Sequence, residues 1–122
     1  MVGSRGETAA VAFLKKRGYR ILETNSRTPF GEIDAVAKNS GHIVFIEVKS
    51  RITSSLGPPY LSVTPLKARH IVRNALYYLK NHGLLDLPWR IDVVSVKMNN
   101  SFIVENIEII DNAVEGDIYN YK

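Results

Sequence analysis

At 122 residues, with 45% hydrophobic and 23% charged residues, the chain has the length and composition of one globular domain with its own core, which argues against wholesale disorder and fibrous repeats. It has no cysteine, so a disulfide framework, a thiolate metal site and a catalytic thiol are excluded, and no apolar run approaches the roughly 20 residues of a membrane span. The net charge of +4 is unevenly placed: residues 98–122 carry −4, residues 1–97 carry +8, and the run 48–85 holds Lys49, Arg51, Lys67, Arg69, Arg73 and Lys80 without a single acid. An unopposed positive run suits a polyanion such as nucleic acid; a solvated basic face is the plain alternative. The first residues lack an apolar signal core, so a cytoplasmic address is expected.

Ser4 to Arg17 reads as a helix. Ser4 is the expected N-cap and Glu7, three residues on, completes a capping-box pattern. Ala10, Phe13 and Leu14 give helical spacing, and Gly18 is a good stop. Tyr19 to Glu23 reads as a short strand, and Thr24 to Gly31 as a polar loop. Residues 32–38 and 42–50 read as two strands around the turn Asn39-Ser40-Gly41. The second of them is apolar on both faces until its far end, the pattern of a central strand. Residues 51–63, with Gly57 and Pro58-Pro59, read as a loop that is functional or mobile. Thr64-Pro65 starts a second helix, with an apolar stripe of Ala68, Ile71, Val72, Ala75, Leu76 and Leu79. Lys67, His70, Arg73, Asn74, Tyr77 and Lys80 fall mostly away from that stripe, and Gly83 ends the helix. Residues 90–97 and 102–110 read as two further strands. Residues 1–111 form a single domain in this reading, and 112–122 an acidic, loose tail. The order α, β, hairpin, α, β, β predicts an α/β fold: a mixed sheet flanked by helices.

The hairpin carries the chemistry. A two- or four-residue turn pairs residues whose numbers sum to 81, so Asp34 should face Glu47. Directly opposed side chains share a face, about 5 Å apart. Period-2 alternation adds Lys49 and Glu32 to that face. Three carboxylates and one ammonium at the end of a buried hairpin repel one another unless compensated. A divalent cation compensates them. Mg²⁺ takes one or two carboxylates plus waters and phosphate oxygens, polarises a phosphoryl group and acidifies bound water. Lys49 would steady the attacking group or the charge developing on phosphorus. The competing account is that Lys49 merely neutralises Glu47 on an exposed strand end.

The pattern Asp34…Glu47-Val48-Lys49 resembles the core of the restriction-endonuclease-like nucleases, which include the archaeal Holliday junction resolvases. A closer resemblance is to the bacterial YraN family, a poorly characterised group thought to be endonucleases. It is carried by Gly6-Glu7-x-x-Ala10, Gly18-Tyr19, Asn25-x-Arg27, Gly31-Glu32-Ile33-Asp34, Val44 to Lys49 with Arg51, Lys67, and Arg90-x-Asp92-Val93-Val94. It spans about residues 3–97. It implies a restriction-endonuclease-like mixed β-sheet and Mg²⁺ or Mn²⁺ held by Asp34 and Glu47, with the Val48 main-chain carbonyl as a third ligand. It further implies Lys49 as the catalytic lysine, and Glu7 as the first-helix glutamate that completes such sites.

Arg51 and Lys67 are expected to touch phosphate, with Arg69 and Arg73 as weaker candidates. Glu32 is a nearby supporting acid or a solvated strand end. Arg90 and Asp92 share a strand face and are expected to pair. Tyr77 and Tyr78 could stack on bases or belong to the core, and Trp89 reads as a packing anchor. The histidines lack metal-ligand spacing, so zinc is not expected. The expected function is metal-dependent cleavage of DNA, selective for branched or otherwise structured DNA because few groups look placed to read base edges. A two-fold branched substrate would call for a homodimer. The alternatives are a non-catalytic nucleic-acid-binding module on the same fold and a protein-interaction domain.

Overall fold

The computed structural model describes residues 2–52 and 65–111. The elements are α1 (Val2–Lys16), β1 (Arg20–Thr28), β2 (Gly31–Asn39), β3 (His42–Ile52), α2 (Pro65–Asn81), β4 (Trp89–Met98) and β5 (Val104–Ile110). One sheet has the spatial order β1-β2-β3-β4-β5. Its neighbours are antiparallel except β3 and β4, which run parallel from Ile43↔Trp89 to Ile52↔Met98. A parallel pair requires a long crossover, and α2 lies on it. The architecture is a mixed α/β sheet, as the element order predicts, with β3 at its centre.

Alternation along the strands divides the core between the two helices. Val36, Ile43, Phe45 and Ile91 pack with Ala68, Val72, Ala75 and Leu79 of α2. Ala35, Ala37, Val44, Ile46, Val94 and Val96 pack with Ala10 and Leu14 of α1. Ile43 to Ile46 are all buried, which suits a strand covered on both faces. Both helices end as their glycines predict. Gly18 and Gly83 adopt φ of 88° and 67°. The Tyr19 and Leu84 N–H groups reach back to the Leu14 and Leu79 carbonyls at 3.0 and 2.8 Å, closing Schellman turns.

Other expectations need correction. The helix begins at Val2, so Ser4 and Glu7 lie inside it and form no capping box. Residues 24–28 are strand rather than loop. Their polar run hides this because an edge strand needs a paired backbone more than an apolar face. Asn74 is buried rather than set away from the apolar stripe, because it holds the Thr28 hydroxyl. The last strand starts at Val104, after a turn in which the Asn99 side chain accepts the Ser101 and Ile103 N–H groups at 2.8 and 3.0 Å. Of the expected 51–63 loop, Arg51 and Ile52 belong to β3, and the remainder lies outside the described residues, as do Thr64 and the acidic tail.

Helix α1 approaches β3 closely at Gly6. A Cβ built there would lie 1.7 Å from Ser50 Oγ and 2.9 Å from Ser50 Cβ. Gly6→Ala should therefore destabilise the fold. Overpacking costs roughly 1–3 kcal/mol, and better helix propensity offsets about 1 kcal/mol of that. A lowered urea midpoint at unchanged slope is the expected reading.

Candidate functional site

The β2–β3 ladder holds the predicted register. All five pairs, from Asn39↔His42 to Ala35↔Ile46, sum to 81. The ladder then stops, although both strands continue. β2 runs on beside β1 to Gly31↔Thr28, and β3 runs on beside β4 to Ile52↔Met98. The two strands part, and Asp34 stands at the crotch of the fork. Its Oδ2 accepts the Val48 N–H at 2.7 Å, taking the place of the next rung. Asp34 and Glu47 are thus not ladder partners, and the expectation of Glu32, Asp34, Glu47 and Lys49 on one plain strand face is corrected. The backbone turns at Asp34: Ile33 packs with the α2-side core and Ala35 with the α1-side core, although residues two apart on a regular strand share a face.

The four predicted acids approach the fork from both sides of the sheet. Asp34 and Glu7 line one cleft, with Ser4, Thr8, Val11, Thr24 and Asn25. Glu47 and Glu32 line a depression on the α2 side, with Ile33, Phe45, Ile46, Ile71 and Asn74. Asn25 links the two groups. Its amide donates to Glu7 Oε1 at 2.9 Å and approaches Glu32 Oε1 at 3.4 Å, from a backbone at φ 52°. Asparagine tolerates this left-handed conformation better than most residues. Asn25 is the residue that spacing arguments passed over, and that tolerance is the signal that could have marked it.

Burial pushes the Asp34 carboxyl up to about 6. The Val48 N–H opposes that rise, and the negative charges of Glu47, Glu7 and Glu32 add to it. Glu47 Oε2 lies 3.8 Å from Lys49 Nζ and 3.7 Å from Lys67 Nζ. Lys67 comes from the first turn of α2, so the structure brings an expected phosphate contact into the site itself. Burial and the neighbouring Lys67 ammonium hold Lys49 below the usual lysine range, against the pull of Glu47 and Asp34. Arg51 is half-buried two residues beyond Lys49 on β3, while Arg69 and Arg73 are exposed on α2. Tyr78 is buried against Phe45, and Trp89 packs edge-on against the same ring, so these aromatics belong to the core.

No group of three or more histidine, aspartate or glutamate side chains is arranged to hold a metal ion among the described residues. The smaller donor set is of the chemical type a magnesium-like ion takes. It consists of oxygen alone, and Mg²⁺ commonly takes only one or two protein carboxylates. Asp34 is a half-buried acid under like-charge pressure, the condition a dication relieves. In a strand the N–H and C=O of one residue point the same way, as the paired bonds of a ladder require. The Val48 carbonyl therefore faces the fork along with the N–H that Asp34 accepts. Asp34, Glu47 and that carbonyl could hold such an ion.

The model of "Uncharacterised protein family UPF0102" matches residues 6–96. The chain belongs to this family. The resemblance to YraN proteins carried by Gly31 to Arg51 has the same origin. A UPF0102 protein of Desulfosudis oleivorans is 46% identical over 116 residues, covering 95% of this chain and 91% of its own. One of Geotalea uraniireducens is 45% identical over 114 residues, covering 93% and 89%. One of Caldicellulosiruptor saccharolyticus is 43% identical over 112 residues, covering 92% and 95%. The family match includes Glu7, Asp34, Glu47, Lys49 and Lys67 and ends within β4, so β5 lies beyond it. No described helix is long and apolar enough to cross a membrane.

Proposed function

We propose that this UPF0102 chain is a metal-dependent DNA endonuclease of the restriction-endonuclease-like class, acting on branched or otherwise structured DNA in the cytoplasm. The observation that carries the reading is the fork: the half-buried Asp34 carboxylate, bonded to the Val48 N–H at the point where β2 and β3 part, beside a strand that carries Glu47 and Lys49. Asp34, Glu47 and the Val48 carbonyl would hold Mg²⁺ or Mn²⁺, with Glu7 completing the set from α1. When bound, the ion supplies polarisation of the phosphate and acidifies a water. The protein's own residues do the rest. Lys49 donates to a phosphate oxygen and stabilises the charge that develops there. Lys67 holds Glu47 in place, and with Arg51, Arg69 and Arg73 it neutralises the backbone of the strand. A homodimer would suit a two-fold branched substrate.

The test is cleavage of duplex, flapped and four-way DNA by the purified chain. Cleavage with Mg²⁺ or Mn²⁺, abolished by EDTA, is expected. Asp34→Asn and Lys49→Ala should each reduce it by about 100-fold or more, while binding measured in EDTA persists. The second reading is the non-catalytic nucleic-acid module. It is favoured by the two lysines on Glu47, which neutralise that carboxylate without a metal. Binding without cleavage of any substrate by either ion would select it. Failure to bind any DNA, whatever the salt, would favour a protein-interaction domain.

A further inference from the structure

We propose that Phe30, Arg73 and Tyr77 form a stacking platform for an unpaired base of the strand that enters the fork. The inference rests on the nucleic-acid reading above and adds to it a place where strand separation is recognised. Phe30 is the second residue of the two-residue turn Pro29-Phe30 that joins β1 to β2 at Thr28↔Gly31, and its side chain remains 45% exposed. A single exposed aromatic is ordinary on a protein surface. Three features set this one apart.

The turn is braced. The Thr28 hydroxyl accepts the Phe30 N–H at 3.0 Å and donates to the side-chain oxygen of buried Asn74 on α2, with the Gly31 carbonyl 3.3 Å away. The ring therefore rides on a fixed support, and little ordering entropy remains to be lost on contact. Its neighbours are aromatic and cationic. Tyr77 meets it edge-on at 6.2 Å between ring centres, and the Arg73 guanidinium carbon lies 6.0 Å from its centre. α2 carries Lys67, Arg69, Arg73 and Lys80 and no acid over Pro65–Asn81. Aromatic faces beside a positive track are what single-stranded nucleic acid binds: phosphates are neutralised and bases stack, whatever their sequence.

The platform also lies at a useful distance. The depression lined by Glu32, Glu47, Ile71 and Asn74 shares Asn74 with the brace of the Phe30 turn. Lys67 at one end touches Glu47, and from Lys67 to Arg73 the helix advances about 9 Å, close to three stacked base steps of a strand at about 3.4 Å each. A base that leaves the duplex would stack on Phe30 while its strand continues to the fork. A fully paired duplex offers no such base.

Binding of a labelled single strand, a flapped duplex and a blunt duplex in EDTA, followed by fluorescence anisotropy, tests this. Phe30→Ala and Phe30→Leu should weaken the single strand and the flap by about ten-fold and leave the blunt duplex unchanged. Phe30→Trp should retain affinity, and its added emission should be quenched by the single strand but not by the blunt duplex. If the unsubstituted chain binds DNA and Phe30→Ala binds all three as well, the platform is overturned and the nuclease reading stands. Equal weakening on all three also overturns the platform, because the ring then does not sense unpaired bases. If the unsubstituted chain binds none of them, both ideas fall, and this surface is one for a protein partner.

Discussion

Arg90→Met is expected to lower the unfolding free energy by about 3–5 kcal/mol, the usual cost of stranding one member of a buried ion pair. Asp92 is fully buried. Arg90 Nε donates to it at 3.0 and 3.3 Å, and the Tyr19 hydroxyl donates to it at 3.0 Å. Arg90 also donates to Asn39 Oδ1 at 2.9 Å. The cluster thereby ties the residue before β1, the end of β2 and the start of β4 into one unit. Burial, followed by the Asp92 charge, pushes the Tyr19 phenol up to about 12. Burial alone would lower Arg90, but its bonds to Asp92 and Tyr19 outweigh that and raise it. With methionine at 90, the carboxylate stays buried without its guanidinium. The double variant Arg90→Met/Asp92→Leu should recover most of the loss, because an apolar pair of similar volume removes the stranded charge. Urea unfolding checks both. A single-variant loss below about 1 kcal/mol would mean that the pair is as dispensable as an exposed one.

The opposite sign is expected for Asp34→Asn. The folded chain raises the Asp34 carboxyl from 3.8 to about 6, so across that window the native state binds more protons than the unfolded chain. Stability contributed by this group is full below pH 3.8 and is lost as the pH rises through about 6. A shift of this size corresponds to at most about 3 kcal/mol. The carboxyl retains partial solvent access, and with that screening a value of about 1–2 kcal/mol is expected. Asparagine keeps an oxygen for the Val48 N–H and removes the charge. At pH 7.5 the variant should be more stable than the parent by that amount, and at pH 3.5 equal to it. Mg²⁺ should stabilise the parent at pH 7.5 and not the variant. A variant less stable than the parent at pH 7.5 would show that the negative charge helps the fold, against this account.

Much of the fold is legible because short-range rules decide it. Ser40 and Gly41 both take positive φ, 52° and 80°, as a two-residue hairpin turn requires. That turn fixes the register that brings residues 34 and 47 to neighbouring positions. The stripes on α1 and α2 and the double-sided apolar run in β3 assign most of the core by period, though not buried Asn74. The fork is different. It exists because beyond Ala35↔Ile46 β2 stays with β1 while β3 stays with β4, its partner some 45 residues further along the chain, and no local pattern near Asp34 announces that parting. Lys67 reaches Glu47 for the same kind of reason, through the packing of α2 and not through spacing. Thr24 to Thr28 look like a loop because their strand is held by paired backbone at a sheet edge and shows no apolar alternation.

The bond from the Val48 N–H to Asp34 gives one side chain two duties. It closes the last rung between diverging strands, as a pin closes a hinge, and it offers a charged oxygen to whatever enters the gap. Truncation to alanine would draw the pin and discard the charge together, so a dead alanine variant could not say which duty had failed. Asparagine separates them, keeping the hinge shut while silencing the reagent.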